Sequence, residues 1–277
     1  MSLKIAVCVK SVPDKDHYDK LTIDSATKSL VRSAEHAVIN GADRHALELA
    51  FALRDTLGAE VTAVTMGMLD AREQLFEALA MGADKAVLLS DARLAGSDTS
   101  ATSYALSVLL RQLGGFDVVV AGNESEDGAT AHVPSQLGEW LGVAHISNVT
   151  DVDMAACSAE HLIVGKELDC GGTTFYRIDT PCVVSVNKKL NTVRRTTVWG
   201  LYEARHKPSD VLSCDDMAGL DGNCVGHQGS PTQPGELYPT GKGARRAQAV
   251  TGTPDEIAIA ILDKIGVHTM SQARKQA

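Results

Sequence analysis

Aromatic residues and positive charge are both scarce in this sequence. Aromatic residues make up 4% of the 277 positions, although hydrophobic residues make up 44%. The core must therefore consist mainly of Val, Leu, Ile and Ala, which suits parallel α/β layers better than an aromatic-rich β-sandwich. The formal net charge of −9 leaves no broad basic surface to neutralise phosphates, so we expect no nucleic-acid partner.

Long apolar runs, a signal sequence and metal-binding spacings are also missing. No segment approaches the length of a membrane-spanning helix, and the first apolar run breaks at Lys10. The six cysteines include no C-x-x-C pair, and the nine histidines include no H-E-x-x-H pattern. These absences predict reduced thiols, no metal site, no membrane insertion and a cytoplasmic location.

Catalytic motifs and the usual phosphate-binding motifs are missing too. The sequence has neither G-x-G-x-x-G after the first strand nor G-x-x-x-x-G-K-[ST], which excludes a standard dinucleotide fold and a P-loop NTPase. Asp127 could serve as a general base, but no nucleophile or metal cluster lies near it in sequence. Cys8, on a buried strand, is expected to behave as a small apolar residue. We therefore predict no catalytic residue.

Strand-like and helix-like segments, in contrast, alternate four times before Leu141. Runs of Val and Ile predict buried strands over residues 4–10, 61–66, 86–90 and 116–121. Apolar spacing predicts helices over residues 43–57, 70–81, 97–113 and 130–141. This alternation predicts an α/β fold with a doubly wound, mostly parallel sheet, a Rossmann-like nucleotide-binding variant. A small β-hairpin is expected within residues 21–32.

The segment 118–134 is predicted to hold the ligand site. Its strand ends in a polar loop that leads into a helix N-terminus, where backbone N–H groups and the helix dipole favour an anion such as a nucleotide phosphate. Gly122 and Gly128 would let the backbone turn sharply, and Thr130 is a plausible N-cap or a hydroxyl donor to a phosphate. In doubly wound sheets, ligands bind at the carboxyl ends of strands near a topological switch point. We therefore expect the ends of the first two strands to meet this loop.

Beyond Gly142 the pattern changes to short β-branched segments without intervening helices. They cover residues 146–152, 161–168, 173–178 and 182–186. Residues 169–172, which contain two consecutive glycines, predict a hairpin turn between two of these segments. The added C-terminal strands are expected to extend or edge the sheet.

A basic segment at about residues 190–207 surrounds the apolar residues 198–202 and predicts a protein-docking element. An ordinary loop that packs its own Trp199 is the alternative.

Residues 208–250 are low in regular pattern, as an extended arm is, and a final helix is expected from residues 253–256 to Gly266. This helix could dock on its own core or on another subunit. We therefore expect an α/β domain over 1–207, followed by an arm ending in a helix over 208–277.

Several motifs together resemble the beta subunit of an electron-transfer flavoprotein. Residues 78–86 (ALAMGADKA) are similar to the family's ALAMGADRA, and residues 127–133 (DGATAHV) are similar to its DGDTAQVG. Further similarities occur at residues 5–14, 116–122, 167–172, 180–186 and 190–194. The similarity runs nearly end to end, and the motifs together are far more specific than any one of them.

The resemblance implies an alpha/beta heterodimer that carries electrons and has no substrate of its own. In this family the redox-active FAD lies mainly on the alpha subunit, over the beta subunit. The beta subunit buries an adenine nucleotide, which is AMP in most members and a second FAD in electron-bifurcating members. The Asp-Gly-x-Thr-Ala spacing favours FAD here without excluding AMP. The implied nucleotide contacts are Cys8, Asn40, Met66, Gly122, Asp127, Gly128, Thr130, Ala131, His132 and Val133.

The resemblance also implies partners, namely the alpha subunit and a partner dehydrogenase. Val198 falls at the apolar anchor of the family's recognition loop, with Trp199 and Leu201 beside it. Glu167 falls where a beta-subunit carboxylate steers the mobile FAD domain of alpha through an ion pair. Residues 208–277 are expected to dock on the alpha subunit.

The sequence departs from the family pattern in two regions and leaves an alternative function open. Gly41, Ala129 and His132 stand where Pro, an acid and Gln are usual. The anchor segment departs as well, with Trp199 and a smaller Val198. The alternative is a free-standing nucleotide-binding stress or regulatory protein on a similar sheet, which would not explain the strands beyond residue 180 or the basic segment. An ATP-pyrophosphatase-type enzyme would need a Ser-Gly-Gly-x-Asp-Ser loop where residues 10–14 read KSVPD.

Overall fold

The computed structural model describes residues 3–20, 22–23, 30–31, 37–233, 235 and 249–264. Contacts divide the chain into two units, Met1–Leu237 and Tyr238–Ala277. The first unit contains the strands β1 (Lys4–Cys8), β2 (Ser11–Pro13), β3 (Thr22–Ile23), β4 (Leu30–Val31), β5 (Ala37–Ile39), β6 (Glu60–Met66), β7 (Lys85–Leu89), β8 (Val118–Gly122), β9 (Ala144–Val149), β10 (Asp151–Val152), β11 (His161–Glu167), β12 (Thr173–Asp179), β13 (Cys182–Val186) and β14 (Ser209–Leu212). Its helices are α1 (Gly41–Leu57), α2 (Arg72–Met81), α3 (Thr99–Gln112), α4 (Val133–Leu141) and α5 (Val198–Ala204). The second unit contains α6 (Pro254–Lys264).

A seven-stranded sheet in the order β14-β7-β6-β1-β8-β13-β9 lies at the centre of the first unit. Every pairing in it is parallel. β1 lies between β6 and β8, so the chain builds outward to β6 and β7 before it crosses to β8 on the other side. The boundary between β1 and β8 is therefore the topological switch point, beside which ligand crevices form at the carboxyl ends of strands.

Each face of the sheet carries its own core, because successive residues of a strand point to opposite faces. Ile5 and Val7 of β1 belong to the cluster that includes Phe51 of α1. Ala6 of β1 belongs to the other cluster, which includes Leu109 of α3. The two faces are thus covered by helices, as the scarcity of aromatic residues and the Val-rich strands indicated.

The predicted architecture is confirmed. The strand and helix alternation up to Leu141 is present, and the small hairpin within residues 21–32 appears as β3 paired antiparallel with β4. The turn at residues 169–172 joins β11 and β12, which also pair antiparallel. The final helix begins at Pro254 as predicted, with Asp255 and Glu256 in its first turn, whereas its expected end at Gly266 lies outside the described residues.

The predicted start of α4 is wrong. The helix begins at Val133, not at Thr130, because Ala129 and Ala131 have φ angles of 48° and 57°. This left-handed conformation is incompatible with a right-handed helix and is uncommon for any residue other than glycine. His132 therefore holds the N-cap position, without a side-chain cap hydrogen bond, and the prediction of Thr130 as the cap is also wrong.

The expectation that all later strands extend or edge the central sheet holds for only some of them. β9 forms the sheet edge, but β13 lies inside the sheet between β8 and β9. β11 and β12 form a separate three-stranded antiparallel sheet with β10. A tight turn can join only antiparallel neighbours, so the β11–β12 hairpin forms its own sheet instead of entering a parallel one.

The segment beyond Pro208, expected to lack regular structure, contributes β14 to the central sheet. β14 pairs parallel with β7, and Val211 lies opposite Leu88. Only the last two of its four residues are apolar, so the sequence signal is weak. The edge of β7 offers unpaired backbone groups, and pairing with them is what makes this short segment a strand.

Candidate functional site

The predicted nucleotide-contact residues gather at one edge of the central sheet. Cys8, Met66 and Gly122 are the last residues of the adjacent strands β1, β6 and β8. Because parallel strands end at the same edge, the three positions lie side by side next to the switch point. Residues 123–132, which we call the nucleotide loop, leave β8 at this edge and lead into α4.

Asn40 anchors the first half of the nucleotide loop. Its side chain is 1% exposed and makes two hydrogen bonds with the loop backbone. Nδ2 donates to the carbonyl of Glu124 at 2.9 Å, and Oδ1 accepts from the N–H of Glu126 at 3.1 Å. Asn40 immediately precedes α1, so the start of α1 and the nucleotide loop hold each other in place.

Lys10 and Asp127 form an ion pair across the site. The Lys10 ammonium lies 2.6 Å from Asp127 Oδ1 and donates to Ser125 Oγ at 3.2 Å. The Asp127 side chain is 7% exposed, so its charge is largely removed from water and the ammonium compensates for it. The pair ties the end of β1 to the middle of the nucleotide loop.

Asp43 is a buried carboxyl group at the switch point. Oδ2 accepts the N–H of Lys10 at 2.8 Å, and Oδ1 accepts the N–H of Gly122 at 3.0 Å. Burial raises the pKa of Asp43 to about 7, against hydrogen bonds from Asn40, Lys10 and Gly122 that lower it. Burial, together with the nearby Asp43 carboxyl, also raises the pKa of the Cys8 thiol to about 12, so Cys8 stays neutral.

A second charged cluster lies beside the first turn of α1. Glu126 pairs with Lys15 at 2.9 Å and with Lys188, which follows β13. Burial raises the pKa of Glu126, but the hydrogen bonds from Lys188 and Lys15 outweigh it and hold the pKa below its usual range. Gly41 makes room for this cluster, since a Cβ there would lie 2.8 Å from Glu126 Oε1.

The second half of the nucleotide loop is open to solvent. Gly128, Thr130, Ala131 and His132 are exposed, and Val133 is half-buried at the first position of α4. No protein acceptor lies opposite the N–H groups of residues 130–133 within the described part of the chain. Ala131 has φ of 57° and His132 has φ of −89°. Such alternation of hand turns successive N–H groups toward one side, where an anion can accept them.

Three of the four predicted docking residues, Val198, Trp199 and Leu201, lie on α5, and the loop alternative is wrong. Val198 is 85% exposed and Trp199 is 65% exposed, so Trp199 is not packed into the core. Its ring stacks on Tyr202 with centroids 5.3 Å apart, and Leu201 is also exposed. α5 therefore presents an apolar surface to solvent.

The segment 188–195, which we call the strap, runs along α1 and leads to α5. Asn191 exchanges hydrogen bonds with His45, at 2.8 Å to its ring and 3.0 Å to its carbonyl. Arg194 binds Glu48 through Nε at 2.8 Å and Nη2 at 3.0 Å, and its guanidinium lies 4.7 Å from the centroid of the Phe51 ring. These contacts recur at helical spacing along α1, so the strap is fixed on its surface.

Two contacts fix α5 against α2. Gly200 has no room for a side chain, because a Cβ there would overlap the carbonyl oxygen of Ala80. Lys207, which follows α5, donates to the carbonyls of Leu79 and Ala83 at 3.0 and 2.8 Å. Both carbonyls lie at the C-terminal end of α2, where a cation also complements the helix dipole. α5 thus rests on a rigid base while its apolar side faces outward.

Glu167 lies at the end of β11 and pairs with Lys189 of the strap at 2.6 Å. Both side chains are at least half exposed, so the pair contributes little to stability and can exchange partners. The strap therefore contacts both the nucleotide loop, where Lys188 pairs with Glu126, and Glu167, which pairs with Lys189.

Sequence reasoning missed Asp43, the strap contacts of Arg194 and the anchoring role of Lys207. An acid in the first turn of a helix is ordinary, because it complements the helix dipole, so nothing in the sequence singled out Asp43. Arg194 and Glu48 are 146 positions apart, and no periodic pattern connects them. The one available signal was that Asp43 lies three residues after Asn40.

No group of three or more His, Cys, Asp or Glu residues in the described part of the chain is arranged to hold a metal ion. None of the described helices has the length and apolar character needed to cross a membrane.

The fold is that of a parallel α/β protein whose predicted contact residues meet at the carboxyl edge of the sheet, beside the switch point. Residues 27–210 match the family described as the electron transfer flavoprotein domain. The chain is 37% identical over 232 residues to the electron transfer flavoprotein subunit beta of Thermoanaerobacterium thermosaccharolyticum, covering 83% of this chain and 86% of the relative.

Two further relatives are covered almost completely. Subunit CarD of the caffeyl-CoA reductase-Etf complex of Acetobacterium woodii is 34% identical, over 95% of this chain and 98% of the relative. Protein FixA of Azorhizobium caulinodans is 33% identical, over 95% of this chain and 94% of the relative. The chain therefore belongs to the electron transfer flavoprotein family, among its beta subunits and FixA proteins, and the resemblance seen in the motifs is confirmed.

Proposed function

We propose that this chain is the beta subunit of a heterodimeric, cytoplasmic electron carrier and that it binds an adenine nucleotide, FAD or AMP, at the carboxyl edge of the central sheet. The proposal rests on the backbone geometry of the nucleotide loop. Asn40 fixes its backbone at Glu124 and Glu126. Its far end presents N–H groups without a protein acceptor, among the described residues, at the start of α4. A phosphate supplies the acceptors that such groups require.

The roles proposed for the contact residues follow from their exposure. Gly128, Thr130, Ala131, His132 and Val133 would meet the phosphates, because their backbone borders the open part of the loop. Cys8 and Met66, at the ends of β1 and β6, would line the crevice.

Asn40, Asp127 and Gly122 are proposed to act through the shape of the nucleotide loop. Asn40 and Asp127 would hold the loop in shape, through the backbone bonds of Asn40 and the ion pair of Asp127 with Lys10. Gly122 serves packing, since a Cβ there would overlap Asp43 and lie 2.7 Å from the Ala42 Cβ.

In the proposed carrier, the flavin supplies the redox chemistry when bound, while the protein binds it, orients it and controls its surroundings. The proposed contributions of this chain are the nucleotide site, the α5 surface for a partner dehydrogenase or reductase, and Glu167 for a cation on the alpha subunit. The relative named as a subunit of a reductase-Etf complex favours this kind of partner. Residues 208–277 are proposed to dock on the alpha subunit.

The experiment is to co-express this chain with its alpha subunit, denature the purified complex and quantify the released nucleotides by chromatography. One FAD and one AMP per heterodimer would support a simple shuttle. Two FAD and no AMP would support an electron-bifurcating carrier with flavin on this chain. One FAD and no second nucleotide would contradict the nucleotide site, and absence of a heterodimer would contradict the whole proposal.

A Thr130→Pro variant locates the site within the complex. Proline removes the N–H of residue 130 and fixes its φ near −65°, so the second nucleotide should be lost while the FAD on the alpha subunit stays. The matched control is Thr99→Pro at the first position of α3, where a helix tolerates proline, and this variant should keep both nucleotides. Loss of nucleotide from both variants would point to general destabilisation.

A further inference from the structure

Asp43 joins the two strands that flank the switch point. Its two carboxylate oxygens accept one main-chain N–H each, from Lys10 after β1 and from Gly122 at the end of β8. The nucleotide loop begins at the residue that follows Gly122. The side chain of Asp43 is 5% exposed, so water cannot replace a hydrogen bond that this carboxyl group loses.

The packing around Asp43 is tight. A Cβ at position 122 would overlap Asp43 Oδ1, so the glycine lets the carboxylate reach the end of β8. Asn40, one turn earlier, makes hydrogen bonds to the backbone of the same loop at Glu124 and Glu126. Two neighbouring side chains at the start of α1 therefore hold the nucleotide loop: Asp43 at the end of β8, where the loop begins, and Asn40 in its first half.

We propose that Asp43 is a positioning residue for the nucleotide loop, whose ionised carboxylate holds both strand ends and whose protonation releases one of them and weakens nucleotide binding. An ionised carboxylate has acceptor oxygens on both sides, whereas a carboxylic acid carries an O–H on one oxygen. That O–H would face an N–H donor, and one of the two hydrogen bonds would be lost. The inference rests on the proposed nucleotide site.

The charged and titratable groups that face Asp43 place its titration near neutral pH. From β1 comes the Cys8 thiol, which is neutral because its pKa is raised to about 12. The Lys10 ammonium lowers the pKa of Asp43 and is itself paired with Asp127 from the nucleotide loop. Burial, the largest influence, opposes ionisation and leaves the pKa of Asp43 at about 7. The carboxyl group therefore changes its charge within the physiological range.

The test uses a heterodimer that retains the FAD of its alpha subunit but has been freed of the nucleotide on this chain. AMP and, separately, FAD are titrated into it calorimetrically at about pH 6 and about pH 8. Affinity then follows the ionised fraction of Asp43, which is about tenfold smaller at the more acidic pH, so binding should weaken there by up to about tenfold. The phosphate of AMP also titrates near pH 6, which can change the affinity for AMP independently of Asp43. The titrations with FAD and with the variants separate this effect from that of Asp43.

Asp43→Asn is the diagnostic variant. The asparagine amide has one acceptor oxygen, which can accept only one of the two N–H groups of Lys10 and Gly122. Its NH2 group faces the other N–H, so the variant mimics protonated Asp43 at every pH. It should bind FAD weakly and without a pH step. Asp210→Asn, an exposed aspartate on β14, makes the same chemical change elsewhere and should keep the wild-type pH profile.

Proton release provides a second measurement that needs no variant. Calorimetry of FAD binding at about pH 7 in buffers of different ionisation enthalpy should report the release of about half a proton per nucleotide.

Uptake of a proton, or affinity that rises as pH falls, would overturn the role of Asp43, as would a pH step that persists in Asp43→Asn. Binding that is tight but independent of pH would refute only this inference. No binding at either pH would refute the nucleotide site as well.

Discussion

The guanidinium of Arg194 binds both carboxylate oxygens of Glu48, although 146 positions separate the two residues. The backbone N–H of Arg194 donates to the same carboxylate at 3.0 Å. The hydrogen bonds that the guanidinium donates to Glu48 are the largest of the influences that raise the pKa of Arg194. This contact fixes the strap on α1 just before the chain enters α5, and therefore sets where the exposed apolar surface of α5 lies.

Replacement of Arg194 should loosen the strap. Arg194→Ala removes the two side-chain hydrogen bonds to Glu48 and keeps the one from the backbone N–H. It should lower the free energy of unfolding by about 1–2 kcal/mol, because hydrogen bonds to charged groups are stronger than neutral ones but this pair is partly exposed. Arg195→Ala makes the same change at the exposed neighbouring position and should cost less than about 0.5 kcal/mol. Urea denaturation of both variants measures the difference, and equal losses would show that the pair does not fix the strap.

Gly122 should not tolerate a side chain. Gly122→Ala places a Cβ against Asp43 and Ala42, so overpacking should destabilise the protein by about 1–3 kcal/mol. Gly222→Ala is the matched control, because no atom lies within 4 Å of its added Cβ. Thermal unfolding of both variants tests the expectation, and a Gly122→Ala protein as stable as Gly222→Ala would contradict the tight fit at the switch point.

Trp199 should matter for partner docking and not for folding. Trp199→Ala removes a ring that is 65% exposed, so the free energy of unfolding should change by less than about 0.5 kcal/mol. If α5 docks a partner, the rate of electron transfer from that partner should fall at subsaturating concentrations, because the apolar anchor is smaller. Phe175→Ala, an exposed aromatic residue on β12, controls for general loss of apolar surface. An unchanged rate of electron transfer in Trp199→Ala would contradict the proposal that α5 forms part of the docking surface.

Asp98 should stabilise the protein at neutral pH and lose this effect in acid. It caps α3 by accepting the N–H groups of Ser100 and Ala101 at 2.9 and 3.0 Å, and it also binds Thr232. Burial raises the pKa of Asp98, but these hydrogen bonds outweigh it and hold the pKa below its usual range. A lowered pKa means that the contribution is complete above the unfolded-state value of about 4 and declines as pH falls through the folded-state value.

The variant Asp98→Ala tests this pH dependence. It should lose about 1 kcal/mol of unfolding free energy near pH 7, the usual cost of a lost N-cap, and the difference from the wild type should shrink below about pH 4. Urea denaturation at several pH values measures both. A difference that grows in acid would contradict the assigned direction of the pKa shift.

Deletion of residues 238–277 should separate folding from assembly. The central sheet, including β14, lies wholly within Met1–Leu237, so the shortened chain should keep its parallel α/β circular dichroism. If the removed unit docks on the alpha subunit, the heterodimer should weaken in analytical ultracentrifugation. Full heterodimer strength after the deletion would contradict the proposed role of this part of the arm.

Local patterns in the sequence determined much of the fold. Runs such as residues 61–66 specify buried strands by composition, and the spacing of apolar residues in 43–57 specifies the first helix. Their alternation leaves few topologies, because crossover connections between parallel strands are right-handed. The location of the candidate site at the carboxyl edge followed from the same argument.

The tertiary structure decided what depends on contacts between distant parts of the chain. β14 is a strand because the edge of β7 accepts it, and α4 starts late because Ala129 and Ala131 adopt left-handed conformations. Asp43 became notable only when β1 and β8 met at the switch point and presented two N–H groups to one buried carboxyl group. Short-range periodicity specifies which face of an element is apolar, but partners for buried polar groups are chosen in three dimensions.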